Sequence, residues 1–194
     1  MRKLGVVFGV MLLFSLGAAA YLVSKRTSPD LPQMGEIYDF HLTDQDAQVR
    51  SLKDFKGQPW IVSFLFTRCD GPCPILASKI SSLSKNLTDL PAVKMVSISM
   101  DPDYDQPSIL KEFGTKYEAD FSRWTFLTGP MQDIIKLSKE AFKVPAGENP
   151  SMHTTRVVLI DQAGQIRGYY DGLDATAMQK LLVDVRGLMQ HPAV

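Results

Sequence analysis

Cys69 and Cys73 are the only two cysteines of this 194-residue chain, and three intervening residues still let their sulfur atoms converge. Only one intramolecular bridge can form, which excludes a disulfide scaffold of the small secreted type. Thiolates attack disulfides and bind soft metal ions, and a helix N-terminus stabilises the thiolate form. The pair therefore predicts redox chemistry or metal binding, and the alternative without function is an inert disulfide bridge or two buried thiols.

The pattern around the pair predicts a strand before it and a helix after it. Residues 60–66 are almost continuously apolar, as in a buried strand, and residues 75–87 repeat apolar side chains at helical spacing. Pro74 suits a first helical turn and biases Cys73 away from helical conformation, so both thiols are expected on the loop and its junction with the helix. Open α/β sheets place their ligands at such an edge.

The remaining elements predict an α/β sandwich in which helices flank a mixed sheet. The further predicted strands cover residues 37–42, 48–52, 93–100, 124–127, 154–161 and 165–170, and the further helices cover residues 108–117, 131–142 and 175–189. Trp60 and Trp124 fall in predicted strands and are expected in the core.

His153 is the best candidate for a third ligand beside the two thiolates. It directly precedes the predicted strand from Thr154, at a strand mouth that a thioredoxin-like sheet brings next to the cysteine loop. Two thiolates and one imidazole suit Cu(I), and accept Cu(II) with a further ligand, although the ligand types also allow zinc. His41, expected on the surface, and His191, in the C-terminal tail, are expected to be bystanders. Met152 is left out of the site.

Three carboxylates follow the strand that ends near residue 100: Asp101, Asp103 and Asp105. Alternating carboxylates can form a loop for a hard cation, but the glycine and distal glutamate of a calcium loop are missing. We therefore predict a loop that caps the next helix, with Asp105 or Ser108 near its start.

The N-terminus reads as a membrane anchor. Residues 4–23 are uncharged and apolar, about the length of one bilayer span, and follow the basic Arg2 and Lys3. A cleaved signal peptide is the alternative, although signal cores are usually shorter, about 7–15 residues. We predict an anchor or uncleaved signal at residues 1–24, an extended linker at 25–34 and one globular domain at 35–194. The net charge of zero argues against nucleic-acid binding.

Four segments in this order resemble the Sco (SenC) family of copper metallochaperones, over nearly the whole domain. They are FLFTRCDGPCP (residues 64–74), SMDPDYDQP (99–107), WTFLTG (124–129), and His153 ahead of VVLID (157–161). The chain departs from the usual family motif at Arg68, Asp70 and Gly71, where a proline commonly follows the first cysteine. These changes bear on copper affinity and redox poise, not on ligand identity.

The resemblance implies a thioredoxin-like fold with an N-terminal transmembrane anchor. It also implies a copper site, for Cu(I) or Cu(II), made by Cys69, Cys73 and His153. The implied function is assembly of the copper centre of cytochrome c oxidase, with the copper-bearing oxidase subunit and other copper chaperones as partners. The domain would then face the bacterial periplasm from a single-pass anchor in the inner membrane, where disulfides persist.

A membrane-anchored thiol-disulfide oxidoreductase that keeps a partner's cysteines reduced is the main alternative, because it needs only Cys69 and Cys73. A peroxidase of the peroxiredoxin kind is a weaker third hypothesis, since Thr67 and Cys69 only loosely resemble its threonine-cysteine site.

Overall fold

Long runs of buried residues form the centre of a mixed sheet in this computed structural model, which describes residues 31–145 and 154–190. The strands are β1 Gly35–Glu36, β2 His41–Asp44, β3 Val49–Ser51, β4 Trp60–Leu65, β5 Lys94–Ser99, β6 Trp124–Thr128, β7 Arg156–Ile160 and β8 Gln165–Asp171. They lie in the sheet in the order β1-β8-β7-β4-β5-β6-β2-β3. The helices are α1 Cys73–Asn86, α2 Pro107–Lys116, α3 Met131–Lys136 and α4 Ala175–Gln190, with a 3₁₀ turn at Leu52–Asp54 and a π turn at Leu137–Ala141.

β4 is the central strand that leads to the cysteines. It pairs in parallel with β5 and antiparallel with β7, and all six of its residues are buried. Because both faces of β4 are covered, neither face contacts solvent, and this explains its almost continuous apolar sequence. The hydroxyls of Ser63 and Ser97 bond to each other at 2.9 Å, and the indole of Trp124 donates to Ser97 at 2.9 Å, so these polar groups are satisfied between the strands.

The side chains of β4 alternate between two apolar clusters, as the pleat of a strand requires. Ile61 and Leu65 pack with α1 and α4 in one cluster, which includes Cys73 itself. The other cluster takes Trp60 and Phe64. The sheet is therefore covered on both faces, and the first turn of α1 is part of the packed core.

The predicted mixed sheet flanked by helices is confirmed, with two local differences. The helix predicted for residues 131–142 ends at Lys136 and continues as the π turn, which sets Phe142 edge-on to Trp60 and Phe64 at ring distances of 6.0 and 5.5 Å. The first hairpin strand begins at His41, because the backbone NH of Ile37 donates to Gly164 instead of pairing in that hairpin.

Within residues 31–145 and 154–190, no helix has the length and apolar character needed to cross a bilayer. The predicted anchor, residues 1–24, and the linker residues 25–30 lie outside the described residues, so the anchor stays a prediction. Leu31 is buried, and its carbonyl accepts a hydrogen bond from Arg167 at 2.5 Å. The last linker residues thus pack against β8.

Candidate metal centre

Cys69 and Cys73 lie where the chain leaves β4 and enters α1. Cys69 is half-buried on the loop, whereas Cys73 is the first residue of α1 and fully buried. The two side chains are in hydrogen-bond contact as thiols, with no disulfide between them. The NH of Gly71 donates to the Cys69 sulfur at 3.3 Å, and Pro74 occupies the second helical position, where its missing NH is not needed.

Burial makes the two thiols unequal. Burial is the main cause that raises the pKa of Cys73 to about 12. A backbone hydrogen bond at Phe66 acts to lower this pKa, and the neighbouring Cys69 and Asp105 act to raise it. Desolvation at Cys73 therefore outweighs the stabilisation that a helix N-terminus gives to a thiolate. A metal ion that binds here must displace this proton.

Asp105 anchors the loop that carries Cys69. Its buried carboxylate accepts hydrogen bonds from the NH and hydroxyl of Thr67, at 3.1 and 2.5 Å, and from the hydroxyl of Ser99, at 2.5 Å. Burial raises the pKa of Asp105, although these hydrogen bonds act to lower it. Thr67 is two residues before Cys69, so Asp105 fixes the path of the chain just ahead of the first thiol.

The predicted capping role of Asp105 or Ser108 is wrong. Helix α2 begins at Pro107 after Gln106, and no side chain caps its N-terminus. Asp105 turns instead toward Thr67, since the ends of the parallel strands β4 and β5 lie side by side. Among residues 31–145 and 154–190, no group of three or more histidine, cysteine or acidic side chains is placed so that it could hold a metal ion.

Arg68 makes a second link between the same two loops. Its guanidinium donates to Asp101 at 2.5 and 3.2 Å and lies over the ring of Tyr104, 4.7 Å from its centre. In the sequence, Arg68 stands out only as a departure from the family motif, and this partner is not predicted. The available signal was the position of Asp101, directly after β5 at the sheet edge where β4 also ends.

The start of β7 lies at the same edge of the sheet. Ser63, near the end of β4, pairs with Val157, so the chain enters β7 where β4 leads toward Cys69. His153 and Met152 precede this point and lie outside the described residues, as does His191. His41 was predicted on the surface, and this is confirmed, since 70% of its side chain is exposed.

The SCO1/SenC family model matches residues 30–190. The chain belongs to the SCO1/SenC family. The SCO1 protein homolog of Bacillus subtilis is 30% identical over 188 residues, which cover 94% of each chain. The resemblance seen in the sequence motifs is therefore confirmed.

Solved Sco structures share the fold of this SCO1/SenC protein. One of them is BsSco, described as a member of the Sco family of cytochrome c oxidase assembly proteins in which a disulfide switch was identified. It is 28% identical to this chain with a TM-score of 0.75, and the match covers 83% of this chain and 98% of BsSco. Yeast Sco1 with copper bound is 24% identical with a TM-score of 0.66, over 80% and 90% of the two chains, which shows the fold alone.

The burial difference predicts selective alkylation of the reduced SCO1/SenC chain. We expect iodoacetamide to modify Cys69 first and Cys73 only after unfolding in urea, because Cys73 is inaccessible and its thiol pKa is raised. Peptide mass analysis over time measures both sites, and Cys69→Ser isolates the reaction of Cys73. Equal rates at the two cysteines in the folded chain would contradict this description.

The Asp105 network predicts a pH-dependent effect of Asp105→Asn. The pKa of Asp105 is raised above 3.8, so the folded chain holds this proton at higher pH than the unfolded chain does. The stability that Asp105 contributes is therefore complete below pH 3.8 and is lost as pH rises through its folded pKa. We expect Asp105→Asn to lower the free energy of unfolding by about 1–3 kcal/mol near pH 4, and by less at pH 7.

Urea denaturation at the two pH values measures this difference. Asp103→Asn is the matched control, since Asp103 is exposed in the same loop, and it should change stability by less than about 0.5 kcal/mol at either pH. If Asp105→Asn destabilised the chain more at pH 7 than at pH 4, burial would not be the dominant influence on the pKa of Asp105.

Proposed function

We propose that the chain is a copper metallochaperone that serves assembly of the copper centre of cytochrome c oxidase. The observation that carries this proposal is the interaction between the thiols of Cys69 and Cys73, at the sheet edge where β7 begins. In the sequence, His153 comes three residues before the first residue of β7. Membership of the SCO1/SenC family supports it. The copper bound by yeast Sco1, which has the same fold, supports copper as the cargo.

The donor set fits the proposed cargo. Two thiol side chains that already interact need little rearrangement to share one ion, and in this proposal an imidazole from His153 completes a three-coordinate site suited to Cu(I). Cu(II) is accepted with a further ligand. Zinc fits the same ligand types, so the choice of copper rests on the family relatives rather than on the donors.

Exposure of the site suits transfer of the ion. Cys69 is half-buried while Cys73 is fully buried, so a ligand from a partner protein reaches the copper from the side of Cys69. Copper then passes by ligand exchange to the copper-bearing subunit of the oxidase. Other copper chaperones are the proposed donors of the ion.

In this proposal the apolar residues 4–23 hold the chain in the inner membrane by a single span, with the domain in the periplasm. An oxidising compartment suits a protein whose paired thiols can form a disulfide.

Copper titration of the reduced chain under anaerobic conditions tests the ligand set. We expect one copper per chain in the parent, and His153→Ala, Cys69→Ser and Cys73→Ser should each weaken binding more than about 100-fold. Loss of groups that only support a ligand already weakens metal binding by roughly 10–100-fold. Competition with a copper chelator measures the affinity.

His41→Ala is the matched control for that titration, because His41 is an exposed histidine on β2 and should leave copper binding unchanged. A parent chain that retains no copper, or a His153→Ala variant that binds as the parent does, would refute the proposed ligand set.

Thiol-disulfide exchange is the second candidate function, favoured by the hydrogen-bond contact between the two thiols. Under the reductase hypothesis His153→Ala leaves reduction of an oxidised partner peptide intact, whereas Cys69→Ser abolishes it. We expect the parent to reduce such a peptide slowly and to transfer copper to a dithiol acceptor rapidly. Rapid peptide reduction by a chain that transfers no copper would reverse this ranking.

The proposed location predicts protease sensitivity from the periplasmic side. In Gram-negative cells that express the full chain, protease added to spheroplasts should digest the domain, while the undigested chain stays with the membrane fraction. Immunoblotting of the fractions measures both. Protection of the domain would contradict the proposed orientation, and release of the chain into the soluble periplasm would indicate a cleaved signal.

A further inference from the structure

The buried sulfur of Cys73 accepts a hydrogen bond from the backbone NH of Phe66, which lies well before it in the chain. Cys69 differs, because its sulfur accepts from the NH of Gly71 at 3.3 Å, within the same loop. The donor to Cys69 therefore moves with that loop. The donor to Cys73 belongs to the residue directly after β4, so it reaches the sulfur only if the end of the strand is held in place.

The direction of the Phe66 NH is set by the peptide plane that it shares with the carbonyl of Leu65. That carbonyl accepts from the NH of Met100 at 2.8 Å, on the side of β5. The described residues contain no cis peptide bond, and in a planar trans peptide the NH points opposite to the carbonyl. The Phe66 NH is therefore directed away from β5, to the side where α1 begins with Cys73.

Asp105 holds the next peptide of the chain on the β5 side. β5 ends at Ser99, and the NH of Thr67 donates to the carboxyl group of Asp105 at 3.1 Å, in place of a carbonyl from a neighbouring strand. The hydroxyl of Thr67 donates to the same group at 2.5 Å. Without these bonds, the bond between Leu65 and Met100 would be the last one of the β4–β5 ladder, and terminal hydrogen bonds fray.

We infer that Asp105 is a positioning residue for Cys73: it holds the end of β4 so that the NH of Phe66 points at the Cys73 sulfur. This inference rests on the proposed function and deepens it, because it assigns a control over the oxidation state of the bound copper.

The physical reason is that hydrogen bonds to a cysteine sulfur tune the reduction potential of a copper–thiolate site. An NH donor stabilises negative charge on the sulfur. A sulfur that binds Cu(I) carries more of this charge than a sulfur that binds Cu(II). The hydrogen bond from Phe66 to Cys73 therefore favours Cu(I).

Asp105→Ala in the full chain, kept in detergent, removes the acceptor and tests this inference. In the copper-free, reduced chain we expect the amide proton of Phe66 to exchange with solvent at least about 10-fold faster than in the parent, as measured by NMR. In the copper-loaded chain the Cu(II)/Cu(I) potential should fall. The sulfur-to-Cu(II) charge-transfer band should move to longer wavelength, because the sulfur retains more charge to donate.

Asp105→Asn is the conservative variant that should restore these properties. Its side-chain oxygen can still accept from the NH of Thr67, while its NH₂ group donates to the Thr67 hydroxyl. At pH 7 we expect the Phe66 exchange rate, the potential and the charge-transfer band to stay near the parent's values. A role in stability alone would not make these three quantities depend on the acceptor.

Asp161→Ala is the matched control. The buried carboxylate of Asp161 accepts from the NH groups of Ala163 and Gln165 at 3.0 and 2.9 Å, so it also fixes a loop. It follows the end of β7, at the sheet edge opposite to the cysteines. We expect this variant to lower the melting temperature while Phe66 exchange, the potential and the charge-transfer band stay as in the parent.

Asp105→Leu keeps the test decisive if Asp105→Ala folds poorly. The leucine side chain fills the buried space that alanine would leave empty, and it offers no acceptor to the NH of Thr67. We expect the same faster exchange of Phe66 and the same shifts of the potential and the band.

The outcomes separate the two proposals. A parent chain that binds no copper would refute the proposed function, while Phe66 exchange in the copper-free chain would still test the action of Asp105. A parent that binds copper, with parent-like exchange and potential in Asp105→Ala or Asp105→Leu, would overturn the role of Asp105. Shifts in Asp105→Asn as large as those in Asp105→Ala would overturn it too, because the asparagine retains the acceptor.

Discussion

The site depends on the hydrogen bonds that the buried carboxyl group of Asp105 accepts. This group joins the end of β4 to the loop after β5, through the NH and hydroxyl of Thr67 and the hydroxyl of Ser99. A loop that follows a buried strand has several paths to the next helix, and hydrogen bonds to a buried carboxyl select one of them. The ion pair of Arg68 with Asp101 adds a partly exposed link beside it, and such a link contributes little stability alone.

The same burial that fixes the loop makes the two thiols different. The packing of α1 against the sheet removes Cys73 from water, whereas Cys69 stays partly open on the loop. Cys73 is therefore buried and has a raised pKa, whereas solvent can reach Cys69. Only the Cys69 side of the pair is accessible. This asymmetry follows from the position of Cys73 at the first residue of a core helix, and it is independent of which ion or partner the pair meets.

Much of this fold could be predicted from sequence, because its strongest patterns are local. The apolar run of β4, the helical spacing of α1 and the exposure of His41 all follow from periodicity. The partner of Asp105 and the link from Arg68 to Asp101 could not be predicted, since each depends on which segments the topology brings together. The raised pKa of Cys73 could not be predicted for a related reason, because a helix N-terminus can be predicted from sequence while the depth of burial cannot.

We propose that Cys69, Cys73 and His153 bind one copper ion together. Copper K-edge X-ray absorption of the loaded parent chain and of His153→Gln tests it most directly, because it counts sulfur and imidazole ligands around the ion itself. We expect two sulfurs and one imidazole in the parent, and two sulfurs without the imidazole in the variant. Imidazole scattering that is absent from the parent, or unchanged in His153→Gln, would contradict it.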